Sequence, residues 1–269
     1  MQIAPFARSI TPELAATATT DLERLFFAHE GPICHRWHHM LALYDRVLTR
    51  YRGTPVRLLE IGVRFGGSLE IWRSFLGDEA TIHGIDTDER CAQFDNASHR
   101  VHIGSQSDTG LLDRVVEEMG GVDVVIDDGG HFNVDQITSF RHLYPKLSET
   151  GVYICEDTHS SYWSRFGGGP RKRGSDAPAD VDPAQASFIE FAKDHIDLLH
   201  AWYLDDRSFT ADEEAFVTQT QSISFHDSVV VFERGPKSSP FHILAGTQEF
   251  TEGSGGNSAR PGIASGQER

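Results

Sequence analysis

Between residues 56 and 234 the chain alternates short, nearly unbroken apolar runs with helical stretches, and this rhythm restricts the fold more than any other feature. The apolar runs cover 56–61, 81–85, 101–103, 122–126 and 151–155, and helical patterning fills 68–76, 111–119 and 134–147. A strand that is apolar on both sides has to be covered on both faces, and helical crossovers make neighbouring strands parallel. A helix near 183–199 then precedes a hairpin, 222–225 and 229–233 around His226-Asp227-Ser228, which adds an antiparallel strand. The expected fold is α/β: a Rossmann-like, open, mostly parallel seven-stranded sheet with helices on both faces and an antiparallel last strand.

Residues 1–53 read as an N-terminal helical segment. Thr11 caps a helix with Pro12 at its first position, and Trp37, Met40, Leu41, Tyr44, Val47 and Leu48 recur at helical spacing. Residues 54–234 form the main domain, and 235–269, rich in Gly, Ser and Pro, read as a mostly unordered tail. With 24 Lys+Arg against 40 Asp+Glu the net charge is −16, which argues against nucleic acid as a partner and favours divalent cations as guests. No run of 18 apolar residues exists and no signal-peptide pattern opens the chain, so neither a membrane nor secretion is expected. The three separated cysteines, Cys34, Cys91 and Cys155, fit reduced thiols in the cytoplasm.

The chemistry-bearing residues fall where the apolar runs end. The first run ends Glu60-Ile61-Gly62 and continues to Gly66-Gly67-Ser68, a Gly-x-x-x-Gly-Gly loop distinct from the dinucleotide fingerprint. An acid at that strand end would repel a pyrophosphate and suit a cationic ligand. Asp86 ends the second run 24 residues after Gly62, where an acid accepts hydrogen bonds from ribose hydroxyls. Together these features describe an adenosine ligand bearing a positive group, as in S-adenosylmethionine. The fourth run ends Asp127-Asp128-Gly129-Gly130-His131, and the fifth ends Glu156-Asp157-Thr158-His159. Adjacent strands lie about 5 Å apart, so up to four carboxylates would share one crevice, a set that suits Mg²⁺ or Ca²⁺ better than helix capping does. His131, on a Gly-Gly turn beside them, is the candidate base, whereas His35, His38 and His39 sit on helical patterning and read as packed or solvated.

The segments LLEIGVRFGGSLEIW, GIDTDE, GSQSD, VVIDDGGH and YICEDTHSSYW resemble the class I S-adenosylmethionine-dependent methyltransferases, and within them the macrocin and mycinamicin type of metal-dependent sugar O-methyltransferases from antibiotic pathways. The resemblance implies Mg²⁺ held by Asp128, Glu156 and Asp157, with His131 as general base. It further implies that Glu60, Gly62, Gly66, Asp86 and Gln106 line the cofactor site, with Asp127 near it. The acceptor it implies is a hydroxyl on the sugar of a glycoside. Two positions depart from the family pattern: Gly130 replaces a serine before His131, and Ser105 replaces an acid before Gln106. The chain also shows no counterpart of the large N-terminal domain of some members. Residues 158–183, with Tyr162 and Trp163, suit a lid over the acceptor or a plain surface loop. The helices before residue 53 suit either a cover for that site or a contact in a homo-oligomer. Two other chemistries fit some of these residues: methylation of an aromatic vicinal diol, as in catechol-type enzymes, and an oxygenase with an iron held by His131, His159 and Asp128, as in cephalosporin hydroxylase-like enzymes.

Overall fold

The computed structural model of the protein describes residues 9–169, 187–205 and 207–246. Seven strands form one sheet: β1 (Arg57–Ile61), β2 (Thr81–Asp86), β3 (Arg100–Ile103), β4 (Val122–Asp127), β5 (Leu147–Cys155), β6 (Thr220–His226) and β7 (Val229–Arg234). Their order is β3-β2-β1-β4-β5-β7-β6. The first five are mutually parallel, and β7 runs antiparallel to both β5 and β6, as the closing hairpin predicts.

Eight helices surround the sheet among the described residues: α1 (Pro12–Ala15), α2 (Asp21–Phe27), α3 (Leu41–Leu48), α4 (Gly67–Leu76), α5 (Thr109–Met119), α6 (Asn133–Leu143), α7 (Phe188–Leu199) and α8 (Ala211–Gln219). Their starts follow local rules. Thr11 caps α1 with Pro12 at its first position, and Thr20 with Glu23 and Thr210 with Glu213 form reciprocal capping boxes on α2 and α8.

The central strands divide their side chains by parity. Val124, Ile126, Val152, Ile154, Val229 and Val231 face one core with α3 and α4, while Val125, Tyr153, Cys155, Val230 and Phe232 face the other with α5, α6 and α7. Both faces are dry, which is why these strands carry no polar alternation.

Three expectations need correction. The helical run read over 134–147 ends at Leu143: Pro145 sits in a tight 3₁₀ turn, and β5 starts at Leu147 rather than at residue 151. Proline disfavours helical geometry in the residue before it and offers no N–H, so the chain leaves the helix there. The stripe beginning at Trp37 is a helix only from Leu41, after a 3₁₀ turn at His38–Met40. Helix α8 was not anticipated; its first turn is a run of acids, Asp212, Glu213 and Glu214, with no clear apolar stripe. Residues 239–246 carry no helix or strand, and the rest of the expected tail and of 158–183 lies outside the described residues.

Register places the functional strand ends level with one another. Ile61 pairs with Asp127, and Asp127 with Cys155. The ladder continues one residue further: Asp128 N–H donates to Ile61 O (2.9 Å) and Glu156 N–H to Asp127 O (2.8 Å). Gly62 makes the crossing possible. Its φ is +95°, and a Cβ there would lie 2.1 Å from the Asp128 carbonyl oxygen. We expect Gly62→Ala to cost at least about 2 kcal/mol, from the left-handed backbone and the forced separation of β1 from the Asp128 turn, read as a lower urea midpoint with unchanged slope.

Candidate active site

A cavity of about 500 Å³ opens at the carboxyl edge of the sheet, over the point where strand order reverses between β1 and β4. Gly62, Asp86, Gln106, Asp128, His131, Glu156 and Asp157 all line it. Glu60, Gly66 and Asp127 do not; they lie behind its wall.

The acids form two layers. Behind the wall Glu60 is fully buried and accepts hydrogen bonds from Ser68 Oγ (2.6 Å), Trp72 Nε1 (3.2 Å) and the Arg36 guanidinium. Asp127, also buried, accepts from Gln106 Nε2 (3.0 Å), Ser139 Oγ (2.7 Å) and Tyr153 Oη (2.7 Å). Burial raises the pKa of both, and these donors oppose that shift. At the cavity face Asp128 and Asp157 keep 21% and 19% of their side-chain surface exposed.

Arg36 was not foreseen as part of the site. Its guanidinium, 3% exposed, reaches Glu60, Asp128 and Glu156, the last at 2.6 Å. The segment carrying it passes over the start of α4, where Gly67 N–H donates to Ile33 O (3.3 Å) and a Cβ on Gly67 would meet Pro32 O at 2.1 Å. Two neighbours join it: Trp37 Nε1 donates to Asp157 Oδ1 (2.8 Å), and Tyr44 Oη donates to Glu156. His35, read as helical and packed or solvated, lies instead in the loop and lines the cavity. Residues 33–37 of the N-terminal segment thus line one side of the cavity.

One guanidinium shared by three carboxylates leaves negative charge uncompensated. Burial accordingly pushes the Glu156 carboxyl up to about 7, with Arg36 opposing, and raises Asp128 for the same reason, aided by Glu156. Arg36 itself stays charged, because its three partners outweigh its own burial.

His131 adopts a left-handed backbone, φ +58°, and Arg64 and Asp157, which also line the cavity, share that conformation at +51°. Non-glycine residues held there mark places where the surrounding structure fixes an unfavourable geometry, and such places cluster at functional sites. His131 Nε2 lies 3.3 Å from Asp157 Oδ2 and 4.0 Å from Asp128 Oδ1. Its Nδ1 is buried without a hydrogen-bond partner. Burial lowers its pKa, with Asp157 opposing, so the ring is neutral near pH 7. Asp128, His131 and Asp157 bring one ligand atom each to within 4.8 Å of one another. His159 instead turns Nδ1 to Ser228 Oγ, and it is absent from that group of ligand atoms.

The cofactor candidates are held firmly. Asp86 accepts from the N–H groups of Val63 (2.9 Å), Arg64 (2.8 Å) and Asp88 (2.9 Å), which wraps the β1–α4 turn around it. Gln106 ties Asp127 to the following turn, its Oε1 accepting from Gly130 N–H at 3.1 Å. Gly66 precedes α4 as its cap with φ +80°, and a Cβ there would lie 2.5 Å from the Phe94 ring.

No protein-family model matches the chain. It is 33% identical over 215 residues to L-olivosyl-oleandolide 3-O-methyltransferase of Streptomyces antibioticus, covering 77% of this chain and 53% of that one. It is 37% identical over 155 residues to mycinamicin VI 2''-O-methyltransferase of Micromonospora griseorubida, covering 55% and 38%. Among solved structures it matches the MycE methyltransferase of the mycinamycin pathway, in complex with Mg, SAH and mycinamycin VI, with a TM-score of 0.63 and 29% identity over 81% of this chain and 53% of that one. The chain has the class I methyltransferase fold. It resembles the macrocin and mycinamicin-type sugar O-methyltransferases, and spans about half the length of the relatives it matches or less.

Breaking the Arg36 cluster has a predictable pH signature. Arg36→Met leaves the buried Glu60 and Glu156 and the partly buried Asp128 without their cation, which should cost about 3–5 kcal/mol at pH 8. Carboxyls raised above their unfolded values bind more protons in the folded state, so stability falls as pH rises; the variant should therefore recover as pH drops toward the ordinary Glu value of 4.5. Urea midpoints at pH 5 and pH 8 measure this, and a variant equal to wild type at pH 8 would show that the cluster carries no such charge.

Proposed function

We propose that the chain is an S-adenosylmethionine-dependent, Mg²⁺-dependent O-methyltransferase acting on a sugar hydroxyl of a glycosylated natural product or glycan. The observation that supports it best is the convergence of Asp128, His131 and Asp157 at the rim of a cavity whose other wall is the Gly62–Asp86 turn. The residues fit both groups. Hard oxygen donors facing an undercompensated acidic cluster suit a divalent cation, and Asp128 and Asp157 would hold it with Glu156 behind them. Asp86 lies where ribose hydroxyls bind in this fold, and Phe94 and Ile85 offer apolar surface on the same wall. The relatives' names and the Mg and SAH in the MycE complex support the same reading.

When bound, S-adenosylmethionine supplies an electrophilic methyl, and Mg²⁺ supplies a Lewis acid that stabilises the acceptor oxygen as it loses its proton. The chain's part is positioning and proton transfer. His131 would take the hydroxyl proton at Nε2, the nitrogen that faces Asp157 and Asp128 at the cavity rim, because Nδ1 is enclosed by protein. The left-handed turn at His131 fixes the ring's direction. Unpaired Cys34, Cys91 and Cys155 suit a reducing, cytoplasmic setting, and no helix among the described residues is long and apolar enough to cross a membrane.

Methyl transfer to deoxysugar glycosides, assayed beside a catechol acceptor, tests the reading. EDTA should abolish turnover and Mg²⁺ restore it; turnover indifferent to chelation would remove the metal from the proposal. His131→Ala should lower kcat by about 10²–10⁴-fold with S-adenosylmethionine affinity nearly unchanged. Equal losses in both would reduce His131 to a structural role, and preference for the catechol would move the acceptor class.

A further inference from the structure

A second group of metal-competent side chains lies away from the cavity. His83 on β2 and His102 on the edge strand β3 point to the same face of this parallel pair, offset diagonally: His83 pairs in register with Arg100, and His102 with Ile85. His83 Nδ1 and His102 Nε2 are 2.9 Å apart, with the rings stacked at 5.1 Å between centroids. Ile85, on the His83 side of β2, belongs to the core that contains Leu111, Leu112 and Val115 of α5, so α5 covers this face. Glu118, in the last turn of α5, completes the set: one ligand atom from each of His83, His102 and Glu118 lies within 4.8 Å of the others. None of the three lines the active-site cavity.

We infer that His83, His102 and Glu118 form a binding site for a zinc-like divalent transition ion, independent of the methyl-transfer site and joining edge strand β3 to helix α5. The chemistry of the donors sets the class of ion. Two imidazoles and one carboxylate suit Zn²⁺, with a water completing four ligands, whereas Mg²⁺ and Ca²⁺ prefer an all-oxygen set. Both rings are uncharged at neutral pH: burial depresses His83 to about 4 and lowers His102. Neutral imidazoles present the lone pairs a metal needs, and on binding the hydrogen now between them moves to the donor ring's other nitrogen. Tetrahedral Zn–N bonds of about 2.0–2.1 Å place two nitrogens ~3.3 Å apart, so the pair needs to open by only a few tenths of an ångström. Glu118 is reachable because its present partner, Arg100 Nη1, is a loose 3.5 Å contact and Arg100 also pairs with Asp95.

A simple hydrogen-bonded histidine pair would explain the 2.9 Å contact without a metal, and the following measurement separates the two. Full-length protein is stripped with chelator, returned to saturating Mg²⁺ so that the acidic site is occupied, and titrated with Zn²⁺ or Co²⁺. The expected result is one tight Zn²⁺ per chain, visible Co²⁺ absorption typical of four ligands, and a Zn²⁺-dependent rise in Tm. His102→Ala and Glu118→Gln, both at partly exposed positions, should each weaken this binding at least tenfold and remove the Tm rise, while Asp128→Asn leaves it intact. Two variants guard against misfolding of either. Wild-type-like zinc binding in both, or loss of it in Asp128→Asn alone, overturns the site, and so does a wild-type chain that binds no zinc.

Discussion

The buried meeting of Arg36 with Glu60, Asp128 and Glu156 is the interaction on which the site depends. A parallel sheet brings the carboxyl ends of its strands side by side, about 4.8 Å apart, and here β1, β4 and β5 each carry an acid at or within one residue of the end: Glu60, Asp127 with Asp128, and Glu156. Burying such groups is tolerable only when they are paired and hydrogen-bonded. The sheet has no cation of its own at that edge, so the compensating charge comes from the loop before α3. The N-terminal segment is thus held to the sheet by charge as well as by the apolar stripe of α3, and its placement and that of the acids are one problem. Trp37 and Tyr44, which reach Asp157 and Glu156, extend the same dependence.

Backbone geometry then aims what the charges hold. Arg64, His131 and Asp157 all turn left-handed at the edge of the cavity. Each lies in the turn that follows a strand, β1, β4 or β5. The two departures from the family pattern bear on these turns. A Cβ at Gly130 would meet nothing closer than a Phe132 ring atom at 3.5 Å, so the site has room for the usual serine and the glycine leaves the turn intact. Ser105 keeps a local polar role, its Oγ accepting from Ser107 N–H at 3.1 Å. Gln106 carries the longer-range work by bridging Asp127 and Gly130.

What was legible in the sequence is what depends on neighbours in the chain or on regular repetition. Strands buried on both faces announce themselves as runs such as Val124-Val125-Ile126, and the acids that follow them are placed by the ladder itself. The candidates Asp128, His131 and Asp157 could be named because each follows directly from a strand end. Arg36 could not: its partners lie 24, 92 and 120 residues away, and an arginine among histidines and a tryptophan has no local mark of burial. Glu60 shows the converse. Its strand-end position suggested a ligand contact, yet the cation it meets is the protein's own. The boundary of α6 was misplaced because the apolar pattern runs through Tyr144 to Leu147, while Pro145 decides the backbone.

Exposure finally divides the acids by task. Glu60, Asp127 and Glu156 are buried and each is occupied by protein donors. Asp128 and Asp157 keep about a fifth of their surface open toward the cavity, and one cation behind them is shared three ways. A further cation arriving from the cavity therefore meets oxygen donors without first displacing Arg36, and it opposes the burial that keeps Glu156 near 7. The same arrangement explains why a histidine set against carboxylates is nevertheless held neutral. Its burial opposes the protonated form more strongly than Asp157 favours it, and any cation added at Asp128 and Asp157 pushes in the same direction. Charge balance at the acids and the availability of a base at His131 are in this way set by a single geometry, the parallel pairing that brings the ends of β4 and β5 to the same edge.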